Sequence, residues 1–215
     1  MREEVVKAIE KDKLIVIVRG VERDKLIPLA EAMYEGGIRL LEVTYSADGK
    51  VSDADTAENI RMLCEHFAGR MHIGAGTVLK PEQVERTKKA GGEFIISPDT
   101  CEEVIRRTRE LDMVSMPGAL TPTEIQTAHK AGADFVKLFP ITNLGSGYVK
   151  AVRAPLCHIR MTAVGGVDQS NMKEYLKAGV CGFGVGSNIV DKKMLAAEDY
   201  AGITALAKEY VEALQ

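Results

Sequence analysis

Short apolar runs alternate with longer stretches of helical spacing along the chain. The first run, Leu14–Val18, is continuously apolar and ends at Arg19 and Gly20, as a buried strand does. Residues 23–36 follow with apolar side chains at helical spacing and stop at a pair of glycines. The same alternation predicts further strands at 38–43, 72–75, 94–96, 113–115, 134–140, 159–164 and 180–185, and helices at 2–11, 53–67, 81–90, 100–110, 121–131, 169–178 and 198–213.

Eight strands that alternate with helices predict an α/β fold with a parallel sheet. The strands are apolar on both faces, as a sheet covered by helices requires. We therefore predict one domain over residues 1–215, a (β/α)8 (TIM) barrel with an additional N-terminal helix. A doubly wound open sheet is the alternative, and the absence of a G-x-G-x-x-G motif after the first strand disfavours it.

The charge balance excludes some classes of partner. Lys and Arg number 28 and Asp and Glu number 31, so the formal net charge is −3, and there is no basic run of the kind that binds nucleic acid. No apolar run approaches the roughly 20 residues of a membrane span, and the charged N-terminus begins a helix rather than a signal peptide. The four cysteines are scattered, as in reduced cytosolic proteins. We expect a cytoplasmic protein without nucleic-acid or membrane partners.

The histidines do not predict a metal site. No H-x-H or H-E-x-x-H spacing joins any of the four, which are His66, His72, His129 and His158. Structural or surface roles are the better interpretation for all of them. The sequence therefore predicts no metal and no cofactor.

The sixth predicted strand, residues 134–140, carries Lys137 among apolar side chains. Lysine is almost never fully buried without a partner, and burial shifts an amine toward its neutral form, which attacks carbonyl carbons. The structural alternative is a lysine that reaches solvent from the end of the strand or pairs with a carboxylate.

Further polar side chains fall where other predicted strands end. Glu42 and Thr44 are two residues apart on strand two and share one face. Because strands two and six have the same parity, their inward side chains can share one barrel layer, so Glu42 can meet Lys137. Active sites of such barrels lie at the carboxyl ends of the strands, and this placement favours chemistry over a structural ion pair.

Glycine-rich turns follow the last two predicted strands. Gly165 and Gly166 come after strand seven, and Gly186 and Ser187 after strand eight. Barrels commonly bind phosphate between these two loops, where glycines let backbone N–H groups approach an anion. We expect Ser187 to cap a short helix whose N-terminus favours phosphate. The alternative is that these glycines only form tight turns and bind no ligand.

Five motifs in this order resemble the 2-keto-3-deoxy-6-phosphogluconate (KDPG)/4-hydroxy-2-oxoglutarate (KHG) aldolase family over essentially the whole chain. They are Glu42-Val43-Thr44, Gly74-Ala75-Gly76-Thr77-Val78, Ile96-Ser97-Pro98, Phe135-Val136-Lys137-Leu138-Phe139-Pro140 and Val164-Gly165-Gly166-Val167. The resemblance implies a class I aldolase, usually a homotrimer, that cleaves a small keto-acid sugar phosphate to pyruvate and glyceraldehyde 3-phosphate.

The resemblance also implies roles for individual residues. Lys137 matches the lysine that forms the Schiff base, and Glu42 matches the acid/base carboxylate. Thr77, Pro98 and Phe139 fall where the pyruvate moiety is held, and Gly165, Gly166 and Ser187 fall at the phosphate site.

One departure concerns the sugar epimer. Enzymes for the gluconate substrate carry arginine two residues after the motif threonine, where this chain has Ser46. The 6-phosphogalactonate branch instead has arginine after strand one and valine before the glycine pair, as Arg19 and Val164 do here. The epimer, and unphosphorylated 4-hydroxy-2-oxoglutarate as a substrate, remain open. So do two other classes, a phosphate-binding barrel isomerase or synthase and a non-catalytic sugar-phosphate binder.

Overall fold

Nine parallel strands among residues 2–214, the part of the chain that this computed structural model describes, form a nearly closed barrel. The strands are β1 (Leu14–Val18), β2 (Leu40–Thr44), β3 (His72–Gly76), β4 (Phe94–Ile96), β5 (Val114–Met116), β6 (Gly118–Ala119), β7 (Val136–Leu138), β8 (Met161–Val164) and β9 (Gly182–Val185). They pair in the order β5-β4-β3-β2-β1-β9-β8-β7-β6. The predicted (β/α)8 architecture is confirmed.

The ninth strand is β6, a short segment that the sequence pattern did not predict and that follows β5 beyond the predicted strand at 113–115. Pro117 lies between the two segments and has no N–H group for the sheet ladder. Its carbonyl still accepts a hydrogen bond from the backbone N–H of Lys137 at 2.9 Å, and the carbonyl of Ser115 accepts one from Asp134 at 2.9 Å. These bonds bring the two ends of the strand order together.

Helices cover the outside of the barrel. They are α1 (Arg2–Asp12), α2 (Arg23–Glu35), α3 (Asp53–His66), α4 (Pro81–Lys89), α5 (Glu102–Glu110), α6 (Pro122–Ala131), α7 (Gly145–Arg153), α8 (Met172–Ala178), α9 (Lys192–Ala196) and α10 (Tyr200–Glu212). The sequence pattern missed α7 and α9. Helix α7 opens on Gly145-Ser146-Gly147, which is typical of a loop, and packing of Val149 and Val152 in the core stabilises it instead. No helix of the described chain is long and apolar enough to cross a lipid bilayer.

Two apolar layers follow from the alternation of side chains along each strand. Outward-facing residues such as Val136 and Leu138 pack beneath the helices. Inward-facing residues such as Ile15 and Phe135 fill the barrel, whose amino-terminal end is closed by Val5 and Ile9 of α1. Because that end is filled by apolar side chains, the inward-facing polar residues are left at the carboxyl ends of the strands.

Candidate active site

The carboxyl ends of the strands open into a cavity of about 710 Å³, formed by the loops after β1, β8 and β9 and by α9. A second cavity of about 540 Å³ shares Arg19 with it and is lined by Thr44 and Ser46. Of the residues predicted for the site, those that line the first cavity are Arg19, Phe139, Gly165, Gly166, Gly186 and Ser187.

Lys137 is buried beside the wall of the first cavity. Its side chain is only 7% exposed, and its Nζ atom is 4.7 Å from the centroid of the Phe139 ring, which lines the cavity wall. Burial lowers the pKa of the Lys137 amine below its usual range, the positive charge of Arg19 lowers it further, and only the charge of Glu42 opposes the change. The amine is therefore displaced toward the neutral, nucleophilic form.

Glu42 shares this buried interior. It is 1% exposed and follows Leu40 on the inward face of β2. Burial raises the pKa of the Glu42 carboxyl, against the opposing charges of Lys137 and Arg19. The Oε2 atom has no hydrogen-bond partner within the described chain. The structure places Glu42 and Lys137 in the same barrel interior, where the charge of each group acts on the pKa of the other.

Desolvation drives these two groups toward their uncharged forms together. A neutral amine can attack a carbonyl carbon, while a protonated carboxyl can donate the proton that a departing hydroxide needs. A structural ion pair would instead keep both groups charged and would show an N–O distance within 4 Å, and no such ion pair joins Glu42 to Lys137 in the structure of residues 2–214. The arrangement therefore suits proton transfer and nucleophilic attack.

Gly76 makes room for the Glu42 carboxyl. A Cβ atom at position 76 would lie 1.5 Å from Glu42 Oε1, which is far inside van der Waals contact. The sequence interpretation quoted Gly76 only as part of a motif and missed this steric role. The available signal was its position, two residues after Gly74, on the same inward face of β3.

Arg19 and Thr77 are brought together across the mouth of the barrel. The Nη2 atom of Arg19 donates a hydrogen bond to Thr77 Oγ1 at 3.1 Å. Thr77 has a φ of 55°, a left-handed conformation that is costly for a β-branched residue and that occurs preferentially at functional sites. The guanidinium and the hydroxyl can thus receive one anionic group together.

Pro98 and Ser46 occupy different surroundings. Pro98 follows β4, and its carbonyl oxygen would be 2.3 Å from a Cβ at Gly118, the residue that pairs in register with Lys137. Pro98 therefore lies close to the lysine strand. Ser46 donates a hydrogen bond to Asp48 at 2.5 Å, and Asp48 also pairs with Lys50 at 2.7 Å, so this loop forms its own polar cluster.

The glycine turns lie as predicted, but the helix expected at Ser187 does not form. Gly165 and Gly166 have φ values of 96° and 69°, in the left-handed region that glycine tolerates. Residues 187–189 form a single turn, and the next helix, α9, is capped by Asp191. The expectation that Ser187 caps a helix is therefore wrong. The chain reverses there because the backbone N–H groups of Ile189 and Val190 both bond to the carbonyl of Gly186.

Two cations at this end of the cavity escaped the sequence interpretation. Lys25 of α2 and Lys192 of α9 both line its wall. Neither residue belongs to a recognisable motif. Lys25 is one of the polar residues of the amphipathic helix α2, and Lys192 lies on the short helix α9, which the sequence pattern missed. Within residues 2–214, no cluster of three or more His, Cys, Asp or Glu side chains could hold a metal ion.

Comparisons with known proteins agree with this geometry. A protein-family model described as KDPG and KHG aldolase matches residues 5–206. The 2-dehydro-3-deoxy-6-phosphogalactonate aldolase of Escherichia coli (strain K12) is 34% identical over 203 residues, which cover 94% of this chain and 96% of that protein.

Solved structures show the same fold. A structure of native KDPGal has a TM-score of 0.84 and 33% identity, covering 94% of this chain and 93% of its own. KDPG aldolase from Legionella pneumophila, with pyruvate captured at low pH as a covalent carbinolamine intermediate, has a TM-score of 0.82 and 26% identity, covering 95% of this chain and 97% of its own.

Proposed function

This chain belongs to the KDPG and KHG aldolase family, and we propose that it is a class I aldolase that cleaves a 2-keto-3-deoxy-6-phospho sugar acid to pyruvate and glyceraldehyde 3-phosphate. The observation that carries the proposal is Lys137, a buried strand lysine whose amine lies 4.7 Å from the Phe139 ring in the cavity wall and has a lowered pKa. An isomerase, a synthase or a silent binder requires no such amine, and the family match disfavours all three.

The first half of the reaction uses the neutral amine. The lone pair of Lys137 Nζ attacks C2 of the keto acid, and a proton moves from nitrogen to the former carbonyl oxygen to give a carbinolamine. The Legionella relative holds pyruvate in this form. Loss of the hydroxyl as water then leaves a protonated imine between Nζ and C2.

The second half uses the imine as an electron sink. Removal of the proton from the C4 hydroxyl forms the aldehyde carbonyl, the C3–C4 bond breaks, and its electron pair moves into an enamine at C3. Protonation of C3 gives the pyruvate imine. Water adds to that imine and releases pyruvate, and Lys137 regains its neutral amine.

Glu42 is the acid/base group in this scheme. Its carboxyl lies in the same desolvated space as Lys137, and burial raises its pKa, which favours the protonated form. In its protonated form it delivers a proton to the departing hydroxyl of the carbinolamine, and as a carboxylate it accepts the proton of the C4 hydroxyl. One group can serve both steps because each step restores the form that the other needs.

The remaining residues position the substrate. The Arg19 guanidinium and the Thr77 hydroxyl, which are already 3.1 Å apart, hold the carboxylate of the keto acid. Phe139 and Pro98 enclose the pyruvate carbons, and Thr44 contributes to the wall beside Arg19. Gly165, Gly166, Gly186 and Ser187 receive the phosphate through backbone N–H groups and the serine hydroxyl.

The residues at two positions, Ser46 and Val164, support a proposal about the substrate epimer. Ser46 is bonded to Asp48 and supplies no positive charge, which leaves Arg19 to bind the carboxylate. Val164 lines the cavity without the hydroxyl that a threonine would offer to the sugar. We propose that the 6-phosphogalactonate substrate is cleaved at least as well as the gluconate epimer. 4-Hydroxy-2-oxoglutarate is a further substrate candidate.

Trapping of the imine tests the proposal. Borohydride reduction in the presence of pyruvate should add one pyruvate-derived mass at Lys137 and abolish activity, and EDTA should leave activity unchanged. The Lys137→Ala variant should show neither cleavage nor labelling. An unmodified Lys137 in wild-type protein, or a label on a different lysine, would overturn the class I assignment.

Two structural proposals accompany this function. The first is that residues 1–215 form one domain, which predicts a single cooperative unfolding transition. The second is a cyclic homotrimer, which the family resemblance supports. Light scattering checks the second, and a mass near 23.4 kDa, that of one chain, would contradict it.

A further inference from the structure

The large cavity carries an excess of positive charge. Among the described residues, the ionisable side chains that line this cavity are Arg19, Glu22, Lys25 and Lys192, three cations and one carboxylate. The glycine turns and Ser187 supply hydrogen-bond donors but no full charge. A phosphate monoester carries about −1.5 to −2 charges at pH 7. A positively charged side chain would therefore add to the discrimination in its favour.

Two of the three cations are already engaged. Arg19 donates its hydrogen bond to Thr77, and its charge acts on Lys137 and Glu42, which places it at the keto-acid end. Lys25 lies 3.7 Å from the Glu22 carboxylate one helical turn away, so Glu22 offsets its charge.

Lys192 is the cation that remains. Its ammonium group forms no ion pair or hydrogen bond within residues 2–214. The preceding residue, Asp191, does not line the cavity, and its carboxylate accepts hydrogen bonds from the backbone N–H groups of Lys193 and Met194 at 2.7 and 2.9 Å. This carboxylate is therefore committed to capping α9.

We infer that Lys192 is a specificity-determining residue that selects phosphorylated over unphosphorylated substrates by pairing with the terminal phosphate. The inference rests on the proposed aldolase function and extends it to a residue outside the glycine turns. Lysine suits this role as a compact point charge on a flexible stem. Because Lys192 is exposed at the mouth of the cavity, its contribution is screened by salt.

The neighbouring lysine provides a matched control. Lys193 is on the same short helix and is also exposed, but it does not line the cavity. Lys192→Met and Lys193→Met thus remove the same charge from adjacent positions. Aldol addition of pyruvate should be measured with glyceraldehyde 3-phosphate and with glyceraldehyde, which differ only in the phosphate.

Lys192→Met is expected to lower kcat/KM for glyceraldehyde 3-phosphate about tenfold, with glyceraldehyde unchanged within about twofold. It should also flatten the dependence of the glyceraldehyde 3-phosphate rate on salt and weaken competitive inhibition by inorganic phosphate about tenfold. Lys193→Met should match the wild type in all of these measurements.

Three results would overturn the inference. They are equal losses with both aldehydes, no loss in Lys192→Met, and an equal effect of Lys193→Met. Calorimetric measurement of inorganic phosphate binding compares wild type, Lys192→Met and Lys193→Met without turnover. Failure of the aldolase proposal is recognised separately, because wild-type protein would then form no borohydride-trapped pyruvate adduct at Lys137.

Discussion

The Glu42 carboxyl occupies the space that a side chain at position 76 would need, because Glu42 Oε1 is only 1.5 Å from the site of a Cβ atom at Gly76. The backbone of β3 therefore acts as the wall against which the acid/base group is held. The two residues lie on adjacent paired strands, with Glu42 in register with Gly74 and Thr44 in register with Gly76.

Gly76→Ala tests this contact. The added methyl group must displace the carboxyl, and we expect kcat to fall by about 100-fold, since a misplacement of about 1 Å can have this effect. Stability should fall by about 1–3 kcal/mol from overpacking. Gly147→Ala in α7 is the control, because a Cβ there meets nothing within 4 Å. Similar loss of activity in both variants would contradict the role assigned to Gly76.

Lys137→Met should make stability less dependent on pH. In wild-type protein the pKa of Lys137 is lower in the folded state than in the unfolded state, where it is 10.5. Burial of the charged amine therefore destabilises the fold fully at every pH below the folded-state pKa, and this destabilisation disappears as pH rises toward 10.5. The variant should therefore be more stable at neutral pH, by about 1–3 kcal/mol.

The advantage of Lys137→Met should shrink as pH approaches 10.5, where the amine is neutral in both states. Urea unfolding at several pH values measures the difference. Lys130→Met, at an exposed position of α6, is the control and should show no such convergence. A constant difference at all pH values would argue against a desolvated Lys137 amine.

Glu42→Gln should separate imine formation from proton transfer. The amide fits the same space but cannot donate and accept the protons of catalysis, so kcat should fall by about 10²–10⁴. Borohydride should still label Lys137 with pyruvate on long incubation. Full retention of kcat would remove Glu42 from the mechanism.

The Glu42→Gln variant also has a pH signature in stability. Because the pKa of Glu42 is raised in the folded state, ionisation opposes folding above 4.5 and does so fully above the folded-state pKa. The stability gained by the variant should thus grow as pH rises from 4.5 and then remain constant. Unfolding curves across this range test the sign, and a gain that falls with pH would contradict it.

Arg19→Ala should impair the enzyme far more than Ser46→Ala. Loss of a charge-assisted hydrogen bond to the substrate carboxylate corresponds to about 1.5–3 kcal/mol, or roughly 10- to 100-fold in kcat/KM. Ser46 bonds to Asp48 in an exposed loop, and its removal should change kcat/KM by less than about twofold. Rates with both sugar epimers complete the test, and a harmless Arg19→Ala with a strong gluconate preference would refute the epimer assignment.

The sequence by itself determined the barrel and its central lysine. Apolar periodicity is local, so it located the strands, and alternation along β2 put Glu42 on the face that Leu40 buries. Prediction from this periodicity failed where tertiary packing overrides the local conformational preference. Helix α7 begins with two glycines within three residues, and β6 lies beyond Pro117, outside the predicted strand at 113–115.

Only the tertiary structure decided what surrounds the polar groups. The opposite pKa displacements of Glu42 and Lys137 require a closed barrel that excludes water from both side chains. The clash that keeps position 76 a glycine depends on a side chain 34 positions earlier (76 − 42 = 34) in the chain. The place of Lys192 in the cavity wall depends on α9, which is capped by Asp191. No sequence motif predicted this helix or its cap. Desolvation and steric exclusion act between segments distant in sequence, so a pattern read along one segment does not contain them.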